Sequence, residues 1–484
     1  MSSSTAFRPA RRTPRQRRVS GFGLLLSLLI VYLIYRNVGD SDDATHQIVL
    51  RNENQHVFPP AYAPPTATAT TPPNTNTNTN TRAHYYNAKK PQQPSCSSLP
   101  AMDDILVVLK TGVTEARDKV PVHLETTLRC IPHYVIFSDT DEHIGEAQTY
   151  DVLRDMPLAL RETLPEFDLY NRVRATGRGG LTDTDLTQDV NSNFGKQNNP
   201  GWKLDKWKFL PMVNRTRAAM PHAKWYVFME ADTYPVWANL VTWLAQFDPQ
   251  RPYYLGNQMQ IGDVLFGHGG SGFVLSQAAL AAADDLWQSN VARWDEFTAG
   301  QWAGDCVLGQ LLNEAGVSLL WAWPHLQREP PGEFDYFNEG YGKKPWCYAP
   351  VAFHHLTPEE VRELAEFEQR WRAAGNSRLL YADVFQNLVK GKMSGIRQDW
   401  DSHGEAGPED APVEEAISMV ECRSLCVSDA KCVQYVFAEG RCWTSPMPKL
   451  GSPREGFTSG WLSDRVGAVA DLERSCRRAS WVLD

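Results

Sequence analysis

Residues 224–247 read KWYVFMEADTYPVWANLVTWLAQF, and the parsing of this stretch decides the fold. Trp225 to Met229 form a short run of apolar and aromatic residues, the pattern of a strand buried on both faces. The run stops abruptly at Glu230 and Asp232. From Pro235 the apolar residues recur at helical spacing, and proline suits the first turn of a helix. A buried strand, an acidic strand end and a helix make one unit of an α/β domain, where ligands bind beyond the carboxyl ends of the strands.

The same alternation extends on both sides. ILVVLK (105–110) reads as a buried first strand and HYVIFSD (133–139) as a second, with helix-like VHLETTLRC (122–130) between them. Residues 176–201 are rich in Gly, Asp and Asn and read as a long surface loop. WKLDKWKFLPMVNRTRAAM (202–220) has helical spacing, with Trp202, Trp207, Leu210 and Met212 on its apolar side. YYLG (253–256) and VLF (264–266) follow as strands, then a glycine cluster, then helix-like AALAAADDLW (278–287). No repeat of solenoid period occurs.

The chain has 484 residues, enough for two folded units with appendages. Its stock of 16 Trp, 17 Tyr and 19 Phe suits cores and sugar-binding surfaces. The formal charge is −9, but residues 1–18 carry six Arg and no acid, which leaves −15 on the rest. That acidic body excludes a nucleic-acid binder of the usual basic kind. The uncharged apolar run at residues 19–35 has arginines before it and Asp40, Asp42 and Asp43 after it. This predicts a signal-anchor over residues 19–36, with the basic tail 1–18 in the cytosol and the body in the lumen. A cleaved signal peptide is the alternative, but no small-x-small cleavage site follows. Residues 37–95 contain a Pro/Thr/Asn tract that lacks apolar periodicity and reads as a disordered stem.

Three places carry candidate chemistry. Glu230 and Asp232, two apart at a strand end, can share a hard divalent cation such as Mn²⁺ or Mg²⁺; alternatively Asp232 or Thr233 caps the helix near Pro235. Asp305, after Gly304, stands before CVLGQLLNEAG as a general base or as an N-cap. His354 and His355 lie just ahead of Thr357-Pro358-Glu359-Glu360, a capping box that fixes a helix start, and one of them could complete the metal site. The cluster Gly267-His268-Gly269-Gly270-Ser271-Gly272 matches GxGxxG formally, yet it sits mid-domain without the following acidic strand of a dinucleotide fold. Gly269 and Gly270 instead suit close backbone approach to a bound sugar or nucleotide. No P-loop and no GxSxG elbow is present. Asn214-Arg215-Thr216 is a glycosylation sequon on a predicted helix.

Near residue 393 the texture turns polar, and five of the nine cysteines follow within 55 residues. The spacing of Cys422, Cys426, Cys432 and Cys442 reads as a disulfide-stapled module rather than a metal knuckle.

Together these segments resemble the fringe and core 1 galactosyltransferase branch of glycosyltransferase family 31. The family's Asp-Asp-Asp-Thr-Tyr stands here as Glu230-Ala231-Asp232-Thr233-Tyr234, and its Gly-Gly-Ala-Gly-Tyr-Val-Leu-Ser as residues 269–276. Its acidic-Asp segment before a Gly-bearing helix matches residues 304–309, and its late Phe-His matches Phe353-His354. The resemblance covers roughly residues 100–370. It implies an α/β GT-A fold over residues 96–392, a UDP-sugar donor, Mn²⁺ or Mg²⁺, and an inverting transfer, galactosyl in type, that forms a β1,3 linkage. It places Asp232, His354 and Glu230 at the metal and Asp305 as general base. It puts Ser138, Asp139, Lys206, Lys208, Gly269 and Gly270 beside the donor. Residues 393–484 separately resemble a PAN/apple domain, whose nested pairing implies Cys422–Cys442 and Cys426–Cys432. The other cysteines suggest Cys306–Cys347 and Cys96–Cys130, with Cys476 left over. The whole plan is a single-pass type II Golgi enzyme acting on a glycan or glycoprotein acceptor, and it admits a homodimer. The competing reading is a non-catalytic lumenal binding protein or chaperone of such an enzyme.

Overall fold

The computed structural model describes Leu99 and residues 101–186, 199–403, 413–415, 418–473 and 475–483. The expected cytosolic tail, anchor and stem all lie outside these residues. Among the described residues no helix is long and apolar enough to cross a membrane.

The apolar runs become strands. They are β1 (Ile105–Lys110), β2 (Tyr134–Ser138), β3 (Glu142–Ile144), β4 (Ala147–Asp151), β5 (Trp225–Glu230), β6 (Tyr234–Pro235), β7 (Tyr254–Gly256), β8 (Gln258–Ile261), β9 (Val264–Gly267), β10 (Phe273–Ser276), β11 (Leu319–Trp321) and β12 (Ala352–Phe353). Eight of them form one mixed sheet in the order β11-β7-β10-β5-β1-β2-β4-β3. The central strands β5, β1, β2 and β4 are parallel. Strand β10 runs antiparallel between β5 and β7. Because strand side chains alternate, each strand feeds two cores. Leu106, Val108, Tyr226 and Phe228 pack with the helices Phe209–Ala219, Gln277–Ser289 and Gly304–Glu314 on one face. Ile105, Val107, Leu109, Val227 and Met229 pack with the helices Ala116–Glu125 and Trp237–Leu244 on the other. This mixed α/β sheet covered on both faces is consistent with a GT-A fold.

Two expected helices are drawn differently. The segment 202–220 breaks into Pro200–Asp205 and Phe209–Ala219. Pro235 does not open a helix, because Tyr234 and Pro235 pair with Phe353 and Ala352 before the helix Trp237–Leu244 begins.

The C-terminal part forms a second, five-stranded sheet. It contains β13 (Ile396–Asp401), β14 (Val413–Glu415), β15 (Gln434–Ala438), β16 (Arg441–Ser445) and β17 (Ser452–Trp461), in the order β13-β17-β15-β16-β14. The turn-rich texture after residue 393 thus hides a strand, β13. The disulfides Cys422–Cys442 and Cys426–Cys432 involve both cysteines of the helix Met419–Ser428. Cys476 is not left over: it bonds Cys347 across 129 residues, while Cys306 is buried and free. The suggested Cys306–Cys347 pair is therefore wrong. Cys130 is disulfide-bonded, and the suggested Cys96–Cys130 pair involves Cys96, which lies outside the described residues. One apolar cluster joins Phe334, Tyr336, Trp346 and Phe353 to Val433, Leu450, Trp461 and Val466, so the small sheet shares a core with the segment that carries the late histidines.

Candidate functional site

The site begins where β1 and β5 end together. Parallel register sets Lys110 opposite Glu230, and Lys110 Nζ lies 3.2 Å from Glu230 Oε1. A tight turn follows. Thr233 Oγ1 accepts the Glu230 N–H at 3.2 Å and donates to the Gly270 carbonyl at 2.7 Å. Thr233 is thereby spent on the turn, and neither it nor Asp232 caps a helix. Pairing of β6 with β12 brings Phe353 beside Tyr234, and the Leu356 N–H reaches the Asp232 carbonyl at 3.1 Å. His355 takes a left-handed backbone, φ 60°, which turns the chain into the capping box of Thr357 and Glu360. His354 arrives beside Asp232 by this route, although 122 positions separate them in sequence.

Glu230, Asp232 and His354 each offer a ligand atom, all within 4.8 Å of one another. Asp232 and His354 are 8% and 5% exposed. His354 Nε2 stands 3.1 Å from Asp232 Oδ1, yet that oxygen receives no aligned hydrogen bond. Carboxylate oxygens and an imidazole nitrogen gathered this closely are donors that a divalent metal accepts, so these residues fit one. Lys119 Nζ contacts the other oxygen, Asp232 Oδ2, at 2.9 Å. The two acids respond differently to this setting. Burial would raise the Asp232 pKa, but Lys119 and His354 hold it well below the ordinary value. Burial raises that of Glu230 despite Lys110. Behind the turn, buried His123 holds the Ala231 carbonyl at 2.8 Å, and burial lowers its pKa to about 4. It is neutral at pH 7 and donates to that carbonyl.

Asp305 comes from the opposite side. Its helix starts at Gly304 with Ala303 at the cap position, so Asp305 is the second residue rather than the cap. Its Oδ2 accepts the Gly269 N–H at 2.9 Å and its Oδ1 the Cys306 N–H at 2.9 Å. Burial raises its pKa in spite of these two donors. Gly269 bridges the two halves of the site, since a Cβ there would lie 3.0 Å from Glu230 Oε1. A Cβ on Gly270 would collide with the His354 ring. These glycines admit the site's own side chains, where close approach to a ligand was expected of them.

The expected donor contacts divide. Ser138 is fully buried, and Asp139 Oδ1 accepts the Val113 N–H at 2.8 Å. Lys208 is fully buried, with Nζ 3.0 Å from Asp139 and 2.6 Å from Asp205, and it donates to the Thr111 carbonyl at 2.8 Å. It organises the loop after β1. Lys206 turns elsewhere, to Glu166 at 2.7 Å and the Gln301 carbonyl at 2.9 Å. The break in the 202–220 segment separates these two lysines. Sequence reasoning missed Lys110, Lys119 and Asp205, the last paired with both Lys110 and Lys208. A lysine closing the otherwise apolar run ILVVLK was the available signal. Asn214 of the expected sequon lies within a helix, is partly buried and donates to Asp284 at 3.0 Å, and Thr216 is fully buried.

Comparison with curated proteins finds no match to this chain. A family model described as Fringe-like matches residues 183–325, a span that holds Glu230, Asp232, Gly269, Gly270 and Asp305. Over those residues the chain is similar to the Fringe-like family.

Proposed function

We propose that the protein is a metal-dependent, inverting β1,3-glycosyltransferase that moves a sugar, galactose by family resemblance, from a UDP-sugar to a hydroxyl of a glycan or glycoprotein. The observation that carries this reading is the convergence of Glu230, Asp232 and His354 at the carboxyl ends of β1 and β5, with Asp305 joined to them through Gly269. Asp232, His354 and Glu230 would hold Mn²⁺ or Mg²⁺, which when bound offsets the charge of the donor diphosphate and of the departing UDP. Lys110 and Lys119 hold the two carboxylates in place and lower their mutual repulsion. Asp305 accepts the proton of the acceptor hydroxyl while that oxygen attacks the anomeric carbon. The bond to UDP breaks on the opposite face and its electron pair leaves with the phosphate, which inverts the anomeric centre. The backbone donors Gly269 and Cys306 fix the Asp305 carboxylate for this task.

Oxidised Cys347–Cys476, Cys422–Cys442 and Cys426–Cys432 suit the secretory pathway, and residues 19–36 would anchor the body there as a type II Golgi protein. The C-terminal sheet, apple-like in its nested disulfides, would engage the acceptor. The test is turnover of a panel of UDP-sugars by the purified protein with Mn²⁺ and with EDTA. Asp305→Asn should lose about 10²- to 10⁴-fold in rate while UDP binding persists. Absence of transfer, donor hydrolysis and metal-dependent UDP binding would favour the non-catalytic alternative.

A further inference from the structure

Beside the candidate base lies a pair of stacked tryptophans that the chemistry above does not use. Trp202 and Trp302 have ring centroids 6.0 Å apart and an interplanar angle of 29°. Trp302 is 48% exposed and Trp202 is half-buried. A tryptophan left this open forgoes much of the 150–250 Å² that such a side chain can bury, so its exposure calls for a reason. Trp302 is three residues before Asp305, and three peptide links span at most about 11 Å.

The pair is also held firmly. Lys206, 8% exposed and paired with Glu166, donates to the carbonyls of Gln301 at 2.9 Å and Ala299 at 3.4 Å, on either side of Gly300 in the loop that presents Trp302. On the other flank of Trp302, Gly304 is packed against the Phe209 ring and the Lys206 backbone so closely that a Cβ would not fit. Trp202 sits in the first turn of Pro200–Asp205, its N–H capped by Asn199 Oδ1 at 3.2 Å. Lys206, expected at a diphosphate, thus fastens two elements that carry exposed indoles.

We infer that Trp202 and Trp302 form the acceptor subsite, a platform on which a pyranose ring of the acceptor glycan stacks so that its hydroxyl meets Asp305. The inference rests on the transferase reading above. The apolar face of a pyranose bears C–H groups of slight positive charge, and an indole presents a negative face to them. Hydroxyls in the ring plane stay free to point toward the carboxylate. Trp202 and Trp302 are positioning residues, and Asp305 remains the group that moves the proton.

The test uses Trp302→Ala, Trp202→Ala and the conservative Trp302→Phe in the full chain. Trp302→Ala should raise the acceptor KM by about five- to tenfold, with the donor KM and acceptor-independent hydrolysis of UDP-sugar within about twofold of the parent. Trp302→Phe should recover most of the loss. An acceptor KM within about twofold in both alanine variants overturns the inference, as does a change in oligomeric state in place of a change in KM. Should the parent neither turn over nor bind a donor, the transferase reading fails separately. Saturation-transfer NMR with methyl glycosides of galactose, glucose, N-acetylgalactosamine, mannose, fucose and xylose then decides. Transfer lost in Trp302→Ala supports the platform, and transfer retained or absent from the parent overturns it.

Discussion

Gly270→Ala isolates the geometry of the site from its chemistry, because it adds one methyl group and removes no ligand. Gly270 does not have the positive φ of Gly272, so alanine carries no backbone penalty there. Its Cβ would meet all three of the atoms Cε1, Nε2 and Nδ1 of the His354 ring well inside contact distance. The ring must retreat by more than about 1 Å to reach ordinary van der Waals separation. Overpacking of this size costs about 1–3 kcal/mol of stability, and a 1 Å misplacement at a reacting centre costs about 10²-fold in rate. Thermal unfolding should show a folded, modestly destabilised protein. Titration calorimetry with UDP and Mn²⁺ should show binding weakened, and transfer should fall by about 10²-fold. Gly269→Ala should be milder, since its Cβ would approach at 3.0 Å the movable end of Glu230. If Gly270→Ala binds UDP and turns over within about threefold of the parent, His354 is not held where the metal reading needs it.

Two further measurements probe the frame. The Cys347–Cys476 bridge closes a 129-residue segment, so replacing both cysteines with serine should cost about 2–5 kcal/mol, read as a lower guanidinium midpoint under non-reducing conditions; an unchanged midpoint would show that the shared core alone holds the C-terminus. His325 is fully buried, donates from Nδ1 to the Ala349 carbonyl at 2.7 Å and accepts the Val482 N–H on Nε2 at 2.8 Å, which requires the neutral ring. Burial lowers its pKa from 6.5 to about 4, so the unfolded chain takes up the proton first as pH falls. This contribution to stability is complete above about pH 6.5 and declines toward about pH 4 by about 1.4 kcal/mol per pH unit, and urea titrations of the parent and His325→Gln over that range should differ in slope.

The parts of this fold that were legible in the sequence are those governed by local pattern. ILVVLK, HYVIFSD and KWYVFMEADTY are strands because short apolar runs bury well on both faces of a parallel sheet. Thr357 and Glu360 cap a helix because their spacing satisfies two backbone donors. What stayed hidden depends on which distant segments meet. Lys110 sits opposite Glu230 only through the β1–β5 register, and Cys476 meets Cys347 only when the tail returns to the segment ahead of β12. The segment 202–220 has helical spacing throughout, yet the buried ion pairs of Asp205, Lys206 and Lys208 with residues of three other segments break it at its charged centre. Local pattern and the resemblance make Glu230, Asp232, Asp305 and His354 candidates but say nothing of Lys110 or Lys119.

Glu230 and Ala231, which stand where the family that the sequence resembles has two aspartates, are placed very differently. Residues 230 and 232 bracket the turn after β5 and join His354, whereas Ala231 is 3% exposed and belongs to the apolar cluster of Val227, Met229, Trp237 and Val351 on the opposite face. Position 231 therefore contributes no ligand here, and restoring an aspartate would not restore one. Ala231→Asp would bury a carboxylate among hydrocarbon groups, next to the Asp232 carboxylate. Such a group costs several kcal/mol unless it takes up a proton. The variant should unfold at lower temperature by an amount that shrinks as pH falls toward the range where the new carboxyl is neutral, and its Mn²⁺-dependent UDP affinity should fall or stay level. A more stable Ala231→Asp protein, or one with tighter Mn²⁺-dependent UDP binding, would mean that the turn can rotate residue 231 into the site and that Glu230 is not its second acid.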